Sequence, residues 1–203
     1  KDFIELRPNN GKAEDADFKS EVKIAYDDTG IYVSAMLYDK EPSKISKQLT
    51  ERDNIDNDDY FVLFINGYND NQQSLELFVT AAGVQADSKI TKENGEDFSW
   101  NGIWYSAAKI VENGWTVEMK IPFSELRFPK SAVQNWVINF FRQVNRNKTA
   151  YTWNHVNNQK VSFLLYDGIL ENVKNIDPPI RLSFTHYFST YVTNNAVKTS
   201  TNF

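Results

Sequence analysis

Ile103-Trp104-Tyr105-Ser106-Ala107-Ala108-Lys109-Ile110-Val111, then Glu112-Asn113-Gly114, then Trp115-Thr116-Val117-Glu118-Met119-Lys120-Ile121-Pro122 sets the architecture of this chain. Asn113-Gly114 supplies the positive φ that a tight hairpin turn requires, so the two flanking runs pair antiparallel. Period-two alternation in the second run sends Trp115, Val117, Met119 and Ile121 inward and Thr116, Glu118 and Lys120 outward. Pro122 has no N–H to donate and ends the ladder.

The same pattern repeats on both sides of this hairpin. Val22–Tyr26 reads as a strand, Asp27–Gly30 as a turn and Ile31–Tyr38 as the returning strand, with Ile31, Val33, Ala35 and Leu37 on one face. Tyr60–Ile65 is apolar on both faces, which suits a central strand buried between two layers. Turn residues over Asn66–Asn71 lead into Ser74–Thr80, where Leu75, Leu77 and Val79 alternate with Ser74, Glu76 and Thr80. Further strands are expected over Asn135–Arg146, Thr149–Asn154, Gly168–Val173 and Ile180–Val192. Ser43–Glu51 predicts one or two helical turns, with Ser43 as N-cap after Pro42. About ten strands joined mostly by short turns predict an all-β protein, an antiparallel β-sandwich of immunoglobulin-like or jelly-roll-like type with one or two short helices. Asp177-Pro178-Pro179 is the expected boundary, with residues 1–176 as the domain and residues 177–203 as a linker and the start of a truncated further region.

Composition narrows the chemistry. Of 203 residues, 41% are hydrophobic and 24% charged, which excludes a disordered chain. Twenty-seven acids against 22 bases give a net charge of -5, which argues against a nucleic-acid footprint. With no cysteine and only His155 and His186, there is no thiolate chemistry and little material for a histidine-rich metal site. No apolar run reaches the ~20 residues of a membrane helix, and Lys1–Pro8 lacks the apolar region of a signal peptide. The chain is therefore expected to be cytosolic or already processed, and its ends look like those of a fragment.

Three indoles are candidates for contact with a ligand. Trp100 and Trp104 bracket Asn101-Gly102, and Trp153 lies on a later strand. Flat apolar rings on opposite walls grip the C–H faces of a sugar while Asn, Arg or carboxylates bond its hydroxyls; the same rings can instead plug the rims of a sandwich. Trp115 and Trp136 alternate with inward residues and read as core. Arg142 falls on the inward side of its strand, where it would pair with a buried carboxylate such as Glu118 or donate to a ligand at the strand end. Asp53, Asp56, Asp58 and Asp59, with Asp39, concentrate hard oxygen atoms that suit Ca²⁺ or simply form a solvated acidic loop. Glycoside hydrolysis would need two facing carboxylates, for which Glu118 or Asp87 could meet another acid across a cleft, and no Gly-x-Ser-x-Gly elbow is present.

Read together, Asp2–Pro8, Val22–Asp28 with Ile31-Tyr32-Val33, Asn57–Val62, Trp100-Asn101-Gly102-Ile103-Trp104, Gly114–Phe128 and Trp136–Arg142 with Trp153 resemble the carbohydrate-binding module family 9-like domain. The segment Gly114–Phe128, a strand ending in Ile-Pro-Phe-Ser and followed by Leu-Arg-Phe, is the most specific part. The resemblance implies a β-sandwich that binds oligosaccharide or polysaccharide by aromatic stacking, often with structural calcium, here at Asp39, Asp56 and Asp58, and without catalysis of its own. It also implies ligand contacts at Trp100, Trp104, Arg142 and Trp153, and Asn101, between the first two, is a further candidate. Two positions depart from the pattern: the Trp ahead of the first strand is missing, and Lys148-Thr149 stands where a glutamate is usual. The branch most similar to this chain consists of exported Gram-negative proteins whose C-terminal part looks like an outer-membrane barrel, which Ile180–Val192 would begin. That branch implies a periplasmic or cell-surface, outer-membrane-associated location. Its barrel or other envelope proteins are implied as possible partners. The alternatives are a protein-interaction scaffold and a glycan-active hydrolase.

Overall fold

A computed structural model describes residues 2–55, 57–157, 164, 168–179 and 187–190. Twelve strands stand among them: β1 (Ile4–Arg7), β2 (Ser20–Tyr26), β3 (Gly30–Tyr38), β4 (Tyr60–Asn66), β5 (Gln73–Thr80), β6 (Gln85–Thr91), β7 (Gly95–Asp97), β8 (Tyr105–Val111), β9 (Gly114–Pro122), β10 (Val133–Val144), β11 (Thr149–Thr152) and β12 (Gly168–Lys174). They form two antiparallel sheets. The small sheet runs β2-β3-β9-β8, and the large one runs β1-β11-β10-β4-β5-β6-β7 with β12 also paired to β10. β11 and β12 share one edge of β10: β11 pairs with Phe141–Val144 and β12 with Val133–Ile138.

The sandwich core forms where the alternations of both sheets meet. Ile31, Val33, Ala35 and Leu37 of β3 and Trp115, Val117, Met119 and Ile121 of β9 are all buried, matching the face expected from their spacing. Across from them stand Phe61, Leu63 and Ile65 of β4, Leu77 and Val79 of β5, and Trp136, Ile138 and Phe140 of β10. Each large side chain removed from water contributes about 1.5–3 kcal/mol, so this layer dominates the stability of the fold. Gly30 and Gly114 are required by contact. A Cβ on Gly30 would lie 2.5 Å from the Ile121 carbonyl oxygen, and Gly114, at φ 147°, sits against the Leu37 carbonyl.

β1, β6 and β7 were not foreseen. Gln85-Ala86-Asp87-Ser88-Lys89-Ile90-Thr91 is too polar to alternate visibly, yet it completes the ladder of β5 and folds as a strand through its neighbour. The helix expected over Ser43–Glu51 is reduced to a 3-10 turn at Pro42–Lys44, and the preceding residue, Glu41, makes no side-chain cap. The rest is held extended by long-range bonds, from Ser46 Oγ to the Asn57 carbonyl (2.5 Å) and from Gln48 N–H to Asp58 Oδ1 (2.6 Å). In the expected strand Ile180–Val192, residues 180–186 and 191–192 lie outside the described residues, and 187–190 carry no strand.

Candidate functional site

The three candidate indoles do not converge. Trp104 is 5% exposed and belongs to the core, with its carbonyl accepting from Gln85 Nε2. Its place in a ligand site is corrected: the chain turns it inward as β8 begins, leaving Ile103 and Tyr105 outside. Trp100 is half-buried at one end of the sandwich, and Asn101 is exposed, with its amide reaching only the Ser99 carbonyl at 3.5 Å. Trp153 is half-buried where β11 leaves β10, its N–H on the Phe140 carbonyl (3.0 Å) and its ring edge-on to Phe140. It lines an edge cleft of about 490 Å³ with Phe3, Val22, Ile24 and Leu170, and Lys19 and Glu21 stand at its rim.

Arg142 is wholly buried, and both readings offered for it are corrected. Glu118 is exposed on the far face of the small sheet, and the guanidinium instead donates to main-chain oxygens of Phe18, Lys19 (3.2 Å) and Tyr38 (2.7 Å). It staples the large sheet to β3 and to the 3-10 turn Ala16–Phe18, and with no exposed surface the side chain is out of reach of a ligand outside the sandwich. Burial lowers its pKa to about 10, which leaves it charged at neutral pH. The same burial raises Glu14 to about 6 and pushes Asp59 up from the usual carboxylate range.

The acidic residues are likewise structural. Asp39 is buried and bound through both oxygens by Arg146 at 2.8 Å each, and Asp58 Oδ1 accepts from Gln48 and Ser46. Asp56 lies outside the described residues. A cation at Asp39 would have to displace a bidentate guanidinium, and no group of three or more His, Asp or Glu among the described residues could hold a metal ion. Asp39 and Asp58, two of the three residues expected to hold Ca²⁺, are thus engaged by protein groups. Asp87 is buried against Arg52 (2.6 Å) on the inner face of the large sheet, and Glu118 is exposed on the outer face of the small one.

A groove of a different kind lies on the outer face of the large sheet. Register places Val62, Phe78 and Phe141 in one row and Phe64, Glu76, Ser88 and Asn139 in the next, all facing away from the small sheet. Tyr60 and Phe141 stack nearly parallel, centroids 5.8 Å apart and 17° between planes, and Phe78 lies 6.0 Å from Tyr60. Arg7 sits over Phe141 and donates to Gln143 Oε1 at 2.7 Å, while Glu76 accepts from Ser88 Oγ. Glu76, Glu96 and Arg7 line the same groove of about 350 Å³ as Tyr60, Phe78 and Phe141. Asn139 serves the backbone, its Oδ1 accepting from the N–H groups of Phe140 and Asn154 where β11 departs. Sequence reasoning missed this face as a site, although the double apolarity of Tyr60–Ile65 was its signal.

Comparison with known proteins adds to this geometry. The crystal structure of "a putative carbohydrate-binding protein" from Bacteroides uniformis ATCC 8492 superposes with a TM-score of 0.63 over 86% of each chain at 14% identity, which shows a shared fold. A carbohydrate binding module family 9 from Caldicellulosiruptor kristjanssonii in complex with cellotriose gives a TM-score of 0.43 at 15% identity, covering 70% of this chain and 68% of that one. No curated protein matches. The family described as carbohydrate family 9 binding domain-like matches residues 4–162, most of the chain, and the protein belongs to that family.

Proposed function

We propose that this protein is a glycan-binding module that holds its ligand by aromatic stacking in the groove on the outer face of the large sheet. The observation that carries the reading is the half-buried Tyr60, backed by the buried Phe141 lying nearly parallel to it, in a groove bordered by Arg7, Glu76 and Glu96. A sugar ring presents C–H groups to the tyrosine face and hydroxyls to the groove's border, and charged acceptors and donors make the stronger hydrogen bonds to those hydroxyls. Membership of a carbohydrate-binding family supports the reading. The test is calorimetry of the full chain against a panel of neutral soluble oligosaccharides, repeated with Tyr60→Ala and Arg7→Ala. Binding that weakens about tenfold per substitution is the expected result, equivalent to ~1.4 kcal/mol each. Absence of heat with every member of the panel overturns the proposal. Binding lost instead in Trp153→Ala but not in Tyr60→Ala would move the site to the edge cleft.

A further inference from the structure

The inward row of the large sheet changes character at one end of the sandwich. Ile65, Leu75 and Lys89 stand opposite one another on β4, β5 and β6, so they share the inner face, and the third is a half-buried lysine. Lys89, Trp100 and the segment Glu125–Arg127 enclose a cleft of about 160 Å³ there, with Tyr68 and Gln73 also in its lining.

Both walls are fixed by close backbone contacts. A Cβ on Gly102 would lie 2.7 Å from Trp100 Cη2, so glycine is what lets the indole fold back over its own loop. Asp87 accepts the Gly102 N–H at 2.5 Å while bound to Arg52, which pins that loop to the sheet. Opposite, a Cβ on Gly67 would lie 2.4 Å from the Arg127 carbonyl oxygen, so the second wall is set against the end of β4. The indole packs on the core and is presented ready-made, with little ordering left for a ligand to impose.

Lys89 stands across from Asp97 of β7, whose carboxyl is held down by its Ser99 hydrogen bonds and further by the Lys89 charge, but Asp97 does not line the cleft. Neither Lys89 nor Arg127 forms an ion pair among the described residues, although the chain carries an excess of acids. Glu125 also lines the cleft, its Oε1 accepting from Ser124 Oγ at 3.2 Å. Among the residues that line the cleft, two cations stand against one carboxylate, a single positive charge beside an aromatic plate, which matches a monoanion and disfavours a phosphate dianion.

We infer that the Trp100 cleft is a second glycan site, separate from the outer groove, and that it takes a sugar ring carrying a carboxylate, a hexuronate. The indole covers the C–H face of the ring, and Lys89 and Arg127 take the carboxylate. Calorimetry of the full chain at low salt with trigalacturonate, triglucuronate and the methyl ester of each tests this. At least one acid is expected to bind, its ester at least tenfold more weakly, and Lys89→Gln and Arg127→Gln are each expected to weaken the acid about tenfold. Trp100→Phe, which keeps a ring, should bind more weakly than wild type but more strongly than Trp100→Ala. Equal binding of acid and ester, an unaffected Lys89→Gln variant, tighter binding of uridine monophosphate, or no binding of either trisaccharide would each overturn the inference. Tyr60→Ala is expected to leave uronate binding unchanged, so a failed outer groove shows in the neutral panel and a failed Trp100 cleft shows here.

Discussion

On β4, Phe61, Leu63 and Ile65 face the small sheet while Tyr60, Val62 and Phe64 face away, and nearly all six are buried. Behind the inner set the surroundings are apolar apart from a few polar groups such as Arg142, whose guanidinium donates mainly to main-chain carbonyls. Behind the outer set the rings are interleaved with Glu76, Ser88, Asn139 and Gln143, each at most 5% exposed. One face therefore places its buried charge in the service of the backbone and gains rigidity, and the other keeps side-chain carboxylate and guanidinium groups beside flat rings. The difference separates a face that holds the fold from the face that, in the proposed reading, meets the hydroxyls of a sugar.

The comparison breaks most visibly at Arg142. Arg142→Ala strands the Phe18 and Tyr38 carbonyls in the interior, and a loss of about 3–5 kcal/mol is expected in urea denaturation. If the loss is below ~1 kcal/mol, the guanidinium is not the staple described. Asn139→Ala, on the outer face, removes the acceptor for two N–H groups, and about 1–3 kcal/mol is expected, with hydrogen exchange at Phe140 and Asn154 speeding up locally. Tyr60→Ala sharpens the contrast from the other side, lowering glycan affinity about tenfold while the urea midpoint moves less than in Arg142→Ala.

The smallest effect is in pH. Glu14 binds its proton more firmly folded than unfolded, since burial raises it from 4.5 to about 6. Its contribution is present below the unfolded value and lost as pH rises through the folded one, so stability falls between about pH 4.5 and 6. After allowance for solvent screening the change is on the order of 1 kcal/mol. Burial pushes Asp59 in the same direction, while Asp27, held down to about 2 by its Thr29 hydrogen bonds, titrates below that window. Denaturation at pH 4.5 and pH 7 with Glu14→Gln checks this; the variant should show a smaller difference between the two.

The hairpins β2–β3, β4–β5 and β8–β9 were legible because period-two alternation and Asn or Gly turns act over a few residues. β6 was not, because Gln85, Asp87 and Lys89 occupy the inward row where an isolated strand would need apolar residues. Asp87 is tolerated there by Arg52, 35 residues earlier, and by the Gly102 N–H, and Lys89 by the cleft that it lines. The Trp100-Asn101-Gly102-Ile103-Trp104 motif was legible as a feature but not as two opposite fates.

Alone, the order of residues determined the strands with clear alternation, the all-β class and which side of a strand each large residue takes, since these follow from backbone geometry and local spacing. Tertiary structure decided what covers each side. Arg142 is held by groups 104 to 124 residues away, Trp104 is closed over by the strand that carries Gln85, and the rings of β4, β5 and β10 form one floor only when three strands lie side by side. Burial and hydrogen-bond satisfaction depend on those distant partners, and no local pattern names them.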